Sequence, residues 1–203
     1  MRVGGIILCG GKSTRMGKPK AWLSLGDETF LERVIRIAGQ VVSPIAVVAA
    51  TEQELPHLGE GVILVRDAFP EEGPLRGMAG GMAALAGLCE AAFITSCDVP
   101  FLQVNFIRFI VGNLQNKRWC VPVASGFTHP LAGVYRLDLL PCIEGLLQEK
   151  KYRPAFLFEQ TEGEKISETT VREVDPQLES LWNINNPGDY EKALEKFHKN
   201  SAS

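Results

Sequence analysis

A glycine-rich stretch with several cations lies near the start of the chain and reads LCGGKSTRMGKPK, residues 8–20. Gly10 and Gly11 follow an apolar run, and Arg15 and Lys20 carry positive charge. Glycines at a strand end let the backbone approach a ligand and present N–H groups to anionic oxygens, and the cations add charge-assisted contacts to phosphate. The stretch therefore predicts a polyphosphate site, although a solvated turn with scattered cations has the same composition.

Two common phosphate-binding motifs do not fit this stretch. A P-loop that ended in Gly11, Lys12 and Ser13 would need a glycine five residues before Gly11, where the chain has Ile6. The dinucleotide fingerprint G-x-G-x-x-G fails as well, because Lys12 stands two residues after Gly10 and Ser13 two residues after Gly11. A P-loop enzyme and a Rossmann dehydrogenase are therefore not supported.

Two acidic residues extend the set of chemical candidates, because each follows an apolar run. Asp67 comes after VILV (62–65), and Asp98 comes after AAFITS (91–96). In open α/β sheets ligands bind beyond the carboxyl ends of the strands, so both carboxylates are predicted to lie near the glycine stretch. A surface turn is the alternative role for Asp67, and a helix N-cap or turn beside Pro100 is the alternative for Asp98.

The elements that would position these residues alternate between strands and helices. Short apolar runs predict buried strands, and apolar residues at helical spacing predict helices between them. The predicted strands are VGGIIL (3–8), IAVVAA (45–50), VILV (62–65), AAFITS (91–96), WCVPV (119–123), LAGVY (131–135) and VREV (171–174). This order predicts an α/β fold with a Rossmann-like, doubly wound, mainly parallel sheet.

Capping signals mark the starts of two of the predicted helices. Thr29 and Glu32 have the spacing of a capping box before an apolar helix. Asn186 followed by Pro187 predicts the N-cap and first position of the closing helix.

The composition is that of one ordinary globular domain. The chain has 203 residues, 45% of them hydrophobic, and a formal net charge of −3, which does not suggest a general nucleic-acid binder. Its five cysteines form no C-x-x-C pair, and it has neither a secretory signal nor an apolar run long enough to span a membrane. We therefore expect a cytoplasmic protein with free thiols and no membrane partner.

Taken whole, the glycine-rich stretch is similar to the L-x-G-G-x-S-x-R-M-G-x-x-K signature of the molybdenum cofactor guanylyltransferases, the MobA family. Four further segments resemble family elements in the same order: RDAFPEEGPLRGM, SCDVPFL, THPLAGVY and LWNINNPGDY. Together the matches run from Leu8 to Tyr190. The resemblance implies the nucleotide-diphospho-sugar-transferase-like fold in a single domain, with a nucleotide-binding part at about 1–100 and an acceptor-binding part at about 101–190.

The resemblance also implies a reaction. Members of the family transfer GMP from GTP to the terminal phosphate of molybdopterin, which releases pyrophosphate and forms molybdopterin guanine dinucleotide. Mg²⁺ is the implied cofactor, and molybdoenzymes or their chaperones are implied partners of an expected monomer. Because a phosphate monoester is already a charged nucleophile, the protein needs to supply cations and positioning rather than a nucleophile of its own.

Site residues can be carried over from the family by position. Leu8, Cys9 and Gly10, with Gly11 adjoining, would contact the guanine nucleotide through the loop backbone. The remaining matches are Lys20 for the nucleotide phosphates, Asp67 for the nucleotide, Asp98 for Mg²⁺, and Asn183 and Asn185 near the reacting phosphates and the pterin. Arg15 and Lys20 would supply fixed positive charge, and Asp98 would bind the metal ion. These three are therefore the expected catalytic residues.

Base choice and some roles stay open at this point. Cys9 stands where the family commonly has Ala, and AATEQE (49–54) lacks the Asn that many relatives use there. Related cytidylyltransferases read L-A-A-G, so Gly10 favours guanine by resemblance. The alternatives are a CTP-dependent or a sugar- or polyol-phosphate nucleotidyltransferase, or a guanine-nucleotide binder without turnover. Asn183 and Asn185 could instead satisfy backbone groups before the closing helix.

Overall fold

The computed structural model describes residues 1–10 and 19–201. Its strands are β1 Val3–Leu8, β2 Ser24–Leu25, β3 Glu28–Thr29, β4 Ile45–Ala50, β5 Val62–Asp67, β6 Ala91–Ser96, β7 Trp119–Ala124, β8 Phe127–Thr128, β9 Ala132–Arg136 and β10 Glu164–Ile166. Its helices are α1 Phe30–Ala38, α2 Pro74–Leu85, α3 Val104–Gly112, α4 Leu140–Gln148, α5 Pro154–Gln160, α6 Glu168–Arg172 and α7 Pro187–Ser201. Single 3₁₀ turns lie at Lys20–Trp22, Pro70–Glu72, Leu137–Leu139 and Glu179–Leu181.

One mostly parallel sheet organises the described residues. Its strand order is β10-β7-β9-β6-β1-β4-β5, with β8 added to β7. Strands β6, β1, β4 and β5 run parallel, so their carboxyl ends meet at one edge. Strand β9 runs antiparallel between β6 and β7, so the two strands predicted at 119–123 and 131–135 are neighbours in the sheet.

Helices cover both faces of the sheet, because consecutive side chains of a strand point to opposite faces. In β1, Ile7 packs into the cluster that includes α1 and α3, whereas Ile6 packs into the cluster that includes α2 and α4. Glycines bring α2 close to the sheet. A Cβ at Gly81 would lie 2.5 Å from Ile6 Cγ2.

Both capping predictions are confirmed. The Thr29 side chain accepts the Glu32 N–H while the Glu32 carboxylate accepts the Thr29 N–H, which completes the capping box. Asn186 Oδ1 accepts the Asp189 N–H at 2.9 Å, directly before α7. Helix α7 packs on a third apolar cluster, which includes Phe30, Phe101 and Ile184.

The strand predicted at VREV (171–174) is wrong. Residues 168–172 form α6, and the strand of this region is β10, which pairs in parallel with β7. The helix starts where Ser167 Oγ accepts the Thr170 N–H, and an ion pair between Glu168 and Arg172 joins successive turns. These local signals outweigh the β propensity of two valines.

None of the helices in the part of the chain that the structure describes combines the length and apolar character needed to cross a bilayer.

Candidate active site

A cavity of about 320 Å³ lies at the carboxyl edge of the parallel strands, beside the start of α2. It is lined by Leu8, Gly10, Val48, Ala49, Asp67, Gly73, Pro74, Gly77, Ser96, Asp98, Leu131 and Asn183. Five of the residues predicted for the site therefore line the same cavity: Leu8, Gly10, Asp67, Asp98 and Asn183. Strand ends at this edge are the usual place for a ligand in an α/β sheet.

Asp98 is the most connected acid of this cavity, and its two oxygens have different partners. Oδ1 accepts hydrogen bonds from Ser96 Oγ at 2.5 Å and Asn183 Nδ2 at 2.8 Å. Oδ2 accepts a charge-assisted bond from Lys20 Nζ at 2.6 Å. The neutral donors fix the orientation of the carboxylate, and its second oxygen faces a cation.

Lys20 joins Asp98 to the asparagines before α7. Its Nζ lies 2.7 Å from Asn185 Oδ1, so two oxygens from distant parts of the chain hold one ammonium group. Asn185 is itself held because its backbone N–H donates to Asp189 Oδ2 at 3.0 Å. The backbone also links the two segments, since Ile184 N–H donates to the Asp98 carbonyl at 2.9 Å. The structure thus brings Lys20, Asp98, Asn183 and Asn185 together.

The end of β1 is held from both sides by main-chain bonds. Cys9 N–H donates to the Val48 carbonyl at 2.8 Å, and Cys97 N–H donates to the Leu8 carbonyl at 3.0 Å. The Cys9 side chain is buried, and its bond to Cys97 together with burial raises the pKa of the Cys9 thiol well above its usual value. Cys9 therefore offers a neutral, packed thiol below the cavity, and its backbone is the part near a ligand.

Gly10 lies at the cavity with open space beside it. Among the described residues other than its chain neighbours, none has a heavy atom within 4 Å of a Cβ at this position. Packing within the described residues therefore does not require glycine here. The absence of a side chain instead leaves room in the cavity for a bound molecule.

Asp67 ends β5, the last strand of the order, and lines the cavity there. Its Oδ1 accepts the Phe69 N–H at 2.8 Å, which is an Asx turn. The carboxylate is thus oriented by its own loop and makes none of the side-chain contacts that surround Asp98.

A smaller cavity of about 220 Å³ adjoins the first one. Its lining comprises Pro74, Val99, Thr128, His129, Pro130, Leu131, Ala132, Ser180, Leu181 and Asn183. Pro74, Leu131 and Asn183 line both cavities, so Asn183, which bonds to Asp98, stands at their junction. The two cavities together offer space for two molecules, one on each side of the cluster formed by Lys20, Asp98 and Asn183.

Several site features lie beyond sequence reasoning or beyond the described residues. Gly11 and Arg15, both predicted to bind or act here, lie outside the described residues. The sequence analysis missed Ser96, whose hydroxyl orients Asp98; the S-x-D spacing at a strand end is the signal that could have found it. In residues 1–10 and 19–201 no three His, Cys, Asp or Glu side chains group together as metal ligands.

Comparison with known proteins places the chain in a family. A model described as the MobA-like NTP transferase domain matches residues 5–166. The molybdenum cofactor guanylyltransferase of Desulfosudis oleivorans is 35% identical over 193 residues, 94% of each chain. The "Probable molybdenum cofactor guanylyltransferase" of Carboxydothermus hydrogenoformans is 33% identical over 191 residues, again 94% of each chain.

Solved structures agree with this placement at the level of the fold. Molybdopterin-guanine dinucleotide biosynthesis protein A from Archaeoglobus fulgidus superimposes with a TM-score of 0.79 at 18% identity, over 98% of this chain and 100% of that one. The predicted Rossmann-like nucleotidyltransferase fold is thereby confirmed. Because the family model spans most of the chain and the curated relatives exceed 30% identity along almost all of it, the chain belongs to the MobA-like NTP transferase domain family.

Proposed function

We propose that the chain transfers GMP from GTP to the terminal phosphate of molybdopterin and releases pyrophosphate. The observation that carries the proposal is the cluster of Asp98, Lys20 and Asn183 at the junction of two adjoining cavities. A transfer between two phosphorylated molecules needs both to reach one cation-holding point. Relatives with 33% and 35% identity bear the guanylyltransferase name, which supports this choice of substrates.

The larger cavity would take the nucleotide and the smaller one the acceptor. The backbone at Leu8 and Gly10 would lie along the nucleotide, and Asp67 would bind it from the carboxyl end of β5. On this assignment an acceptor near His129 and Ser180 would reach the nucleotide past Asn183. Open space at Gly10 favours the larger purine base.

The bond changes require little covalent chemistry from the protein. A phosphate oxygen of the acceptor forms a bond to the α-phosphorus of GTP, and the bond between that phosphorus and the bridging oxygen to the β-phosphate breaks. The electron pair leaves with pyrophosphate. The Lys20 ammonium would neutralise phosphate charge as the two anions approach, which is the main requirement of such a transfer.

Mg²⁺ is the cofactor that fits this donor set. Asp98 Oδ2 and Asn185 Oδ1 both contact the Lys20 ammonium, so they already form a pair of oxygens around a cation. Mg²⁺ prefers oxygen ligands and commonly takes only one or two carboxylates, with phosphates and water completing its shell. When held by Asp98 and Asn185, Mg²⁺ would neutralise phosphate charge, while Ser96 and Asn183 keep the Asp98 carboxylate oriented.

The test is a substrate panel. The protein is incubated with Mg²⁺, molybdopterin and each of GTP, CTP, ATP and UTP, and pyrophosphate and dinucleotide are quantified. We expect both products with GTP and molybdopterin together, and neither when the acceptor is omitted. Turnover with CTP but not GTP would overturn the base assignment. Tight GTP binding without a dinucleotide would favour a binder that does not turn over.

A further inference from the structure

The loop after β4, residues 51–54, lies against both described segments that flank residues 11–18. Gln53 Nε2 donates to the Cys9 carbonyl at 3.1 Å, next to Gly10. Trp22 Nε1 donates to the Glu54 carbonyl at 3.1 Å, in the same turn as Lys20. Two consecutive residues of one loop thus contact the nucleotide strand end and the turn that carries the lysine. We call these two bonds the β4-loop clasp.

The clasp is itself held in place by an arginine of the neighbouring strand. Arg66 Nη1 donates to the Gln53 carbonyl at 2.7 Å and to the Ala50 carbonyl at 3.0 Å. Ala50 N–H donates to Gln53 Oε1 at 3.4 Å, so both ends of the Gln53 amide have a partner. The Gln53 side chain therefore has a fixed orientation, and its N–H points at the end of β1.

Each bond controls a group that the proposed reaction needs. The Cys9 carbonyl belongs to the peptide unit that leads into Gly10, so fixing this carbonyl fixes the plane of the Gly10 N–H. Trp22 closes the 3₁₀ turn Lys20–Trp22, and tying its ring to the loop orients the turn from which Lys20 reaches Asp98. Displacements of about 1 Å are enough to reduce a transfer rate strongly.

These contacts are poorly suited to a purely stabilising role. Trp22 is 43% exposed and belongs to none of the three apolar clusters of the described residues, and Gln53 is polar and only partly buried, so neither residue anchors the core. Hydrogen bonds at such a surface add little net stability, because water can replace them. These two hydrogen bonds therefore act on the positions of the groups they hold rather than on the stability of the fold.

We propose that Gln53 and Trp22 are positioning residues for nucleotide transfer, which fix the Gly10 backbone and the Lys20 ammonium through the β4-loop clasp. This inference rests on the proposed function of the cavity, but it does not depend on which base the nucleotide carries. Neither residue touches the reacting atoms. Both act through the loop after β4, with Arg66 as its support.

The experiment removes each donor while keeping the shape of its side chain. Gln53→Met and Trp22→Phe are made singly and together, and the Kd for Mg-GTP is measured by calorimetry. Hydrogen exchange of the peptides around 5–10 and 19–25 is followed in the nucleotide-free protein. Matched controls are Gln40→Met, which loses an amide bond to the Arg36 carbonyl, and Trp119→Phe, which loses an indole bond to Thr161; neither control residue lines a site cavity.

We expect each single variant to raise the Kd about fivefold and the double variant to raise it at least about twentyfold, because the Gly10 backbone and the Lys20 ammonium are then no longer held in position for the nucleotide. Exchange should rise in both peptides of the double variant, with Tm unchanged. The Gln40 control should change neither quantity, and the Trp119 control should lower Tm without raising the Kd.

A double variant with Kd and exchange within twofold of the parent would overturn the proposal. Faster exchange without weaker nucleotide binding would also overturn it. A Kd that rises only in proportion to a falling Tm would do the same. If the parent protein binds CTP instead of GTP, the proposed base is wrong, while the same variants measured with CTP still decide the positioning role. If it binds neither, the exchange data alone decide whether the clasp holds the two segments.

Discussion

Two carboxylates are buried among the described residues, Asp98 at 9% exposure and Asp175 at 0%, and they differ in the kind of partner they have. Asp175 accepts the backbone N–H groups of Glu179 at 2.9 Å and Ser180 at 2.8 Å, and its one side-chain donor in the described residues is the neutral amide of Gln103 at 3.3 Å. Asp98 is surrounded by side-chain donors, one of them an ammonium group. Backbone donors are fixed by the fold, whereas side-chain partners can exchange.

The comparison separates an acid that stabilises a turn from an acid that lies at the candidate site. Asp175 closes the turn that precedes the asparagines, and Gln103 N–H donates to Ser180 Oγ at 3.1 Å, which ties this turn to the start of α3. Asp98 instead borders a cavity and holds a cation. Burial alone would treat these acids alike, so the nature of the donors is the better guide to function.

The largest effect is expected at Asp98. Asp98→Asn keeps the size of the side chain but loses the charge that attracts Lys20 and a metal ion, so turnover should fall about a thousandfold. Tm should change little. Steady-state pyrophosphate release measures the loss, and Asp138→Asn is the control, since it removes an exposed acid paired with Arg118. Turnover within tenfold of the parent would remove Asp98 from the chemistry.

Lys20→Met tests the other half of the same pair. The substitution keeps the apolar stem and removes the ammonium, so kcat/KM for GTP should fall about a hundredfold, with weaker nucleotide binding as part of the loss. Lys151→Met is the matched control, because it breaks a surface ion pair with Glu149. Equal kinetics for the Lys20 variant and this control would refute the predicted phosphate role.

Asp175→Asn should affect stability rather than turnover. The new amide group would place a donor against the backbone N–H of Glu179 or Ser180, which costs about 2 kcal/mol of the free energy of unfolding. Urea denaturation measures this change. Activity per folded molecule should stay within about threefold of the parent, which is a change of less than about 1.4 kcal/mol in free energy. A large loss of activity in fully folded protein would erase the distinction between the two acids.

Gly10→Ala is expected to have the smallest effect and to act on the base rather than on the fold. A methyl group here meets no heavy atom of the described residues within 4 Å beyond its chain neighbours, so Tm should not change. It would take space from the nucleotide, and GTP affinity should fall about tenfold relative to CTP. Gly112→Ala, at another position with open space, is the control for a methyl group outside the cavity. An unchanged ratio of GTP to CTP affinity would show that Gly10 does not select the base.

Sequence patterns were enough to predict the parts of the molecule that depend on local order. Six strands of the sheet (β1, β4, β5, β6, β7 and β9), the capping box at Thr29 and the N-cap at Asn186 follow from periodicity and capping chemistry, and the structure confirms them, whereas β8 and β10 were not predicted. The strand predicted at VREV (171–174) is wrong because a Ser N-cap and an ion pair between residues one turn apart outweigh the β propensity of its valines. Glu168 and Arg172 stand four residues apart in the sequence, and this spacing is the signal that favours the helix over the strand.

Contacts between distant segments could not be predicted in this way. Gln53 meets Cys9 and Lys20 meets Asn185 only because the sheet places their strand ends side by side. Asp175 lies in EVDPQLES, a polar stretch with no periodicity, yet the fold buries it completely. The family resemblance predicts the site residues by position, whereas the partners that orient them required the structure.

Manganese binding tests the central claim most directly, because Mn²⁺ can replace Mg²⁺ and its electron paramagnetic resonance reports the bound fraction. The signal is titrated in the presence of GTP for the parent protein, Asp98→Asn and Asp175→Asn. The account predicts tight Mn²⁺ binding in the parent and in the Asp175 variant, and a loss of at least about tenfold in affinity in the Asp98 variant. Equal Mn²⁺ affinity in all three proteins would contradict it.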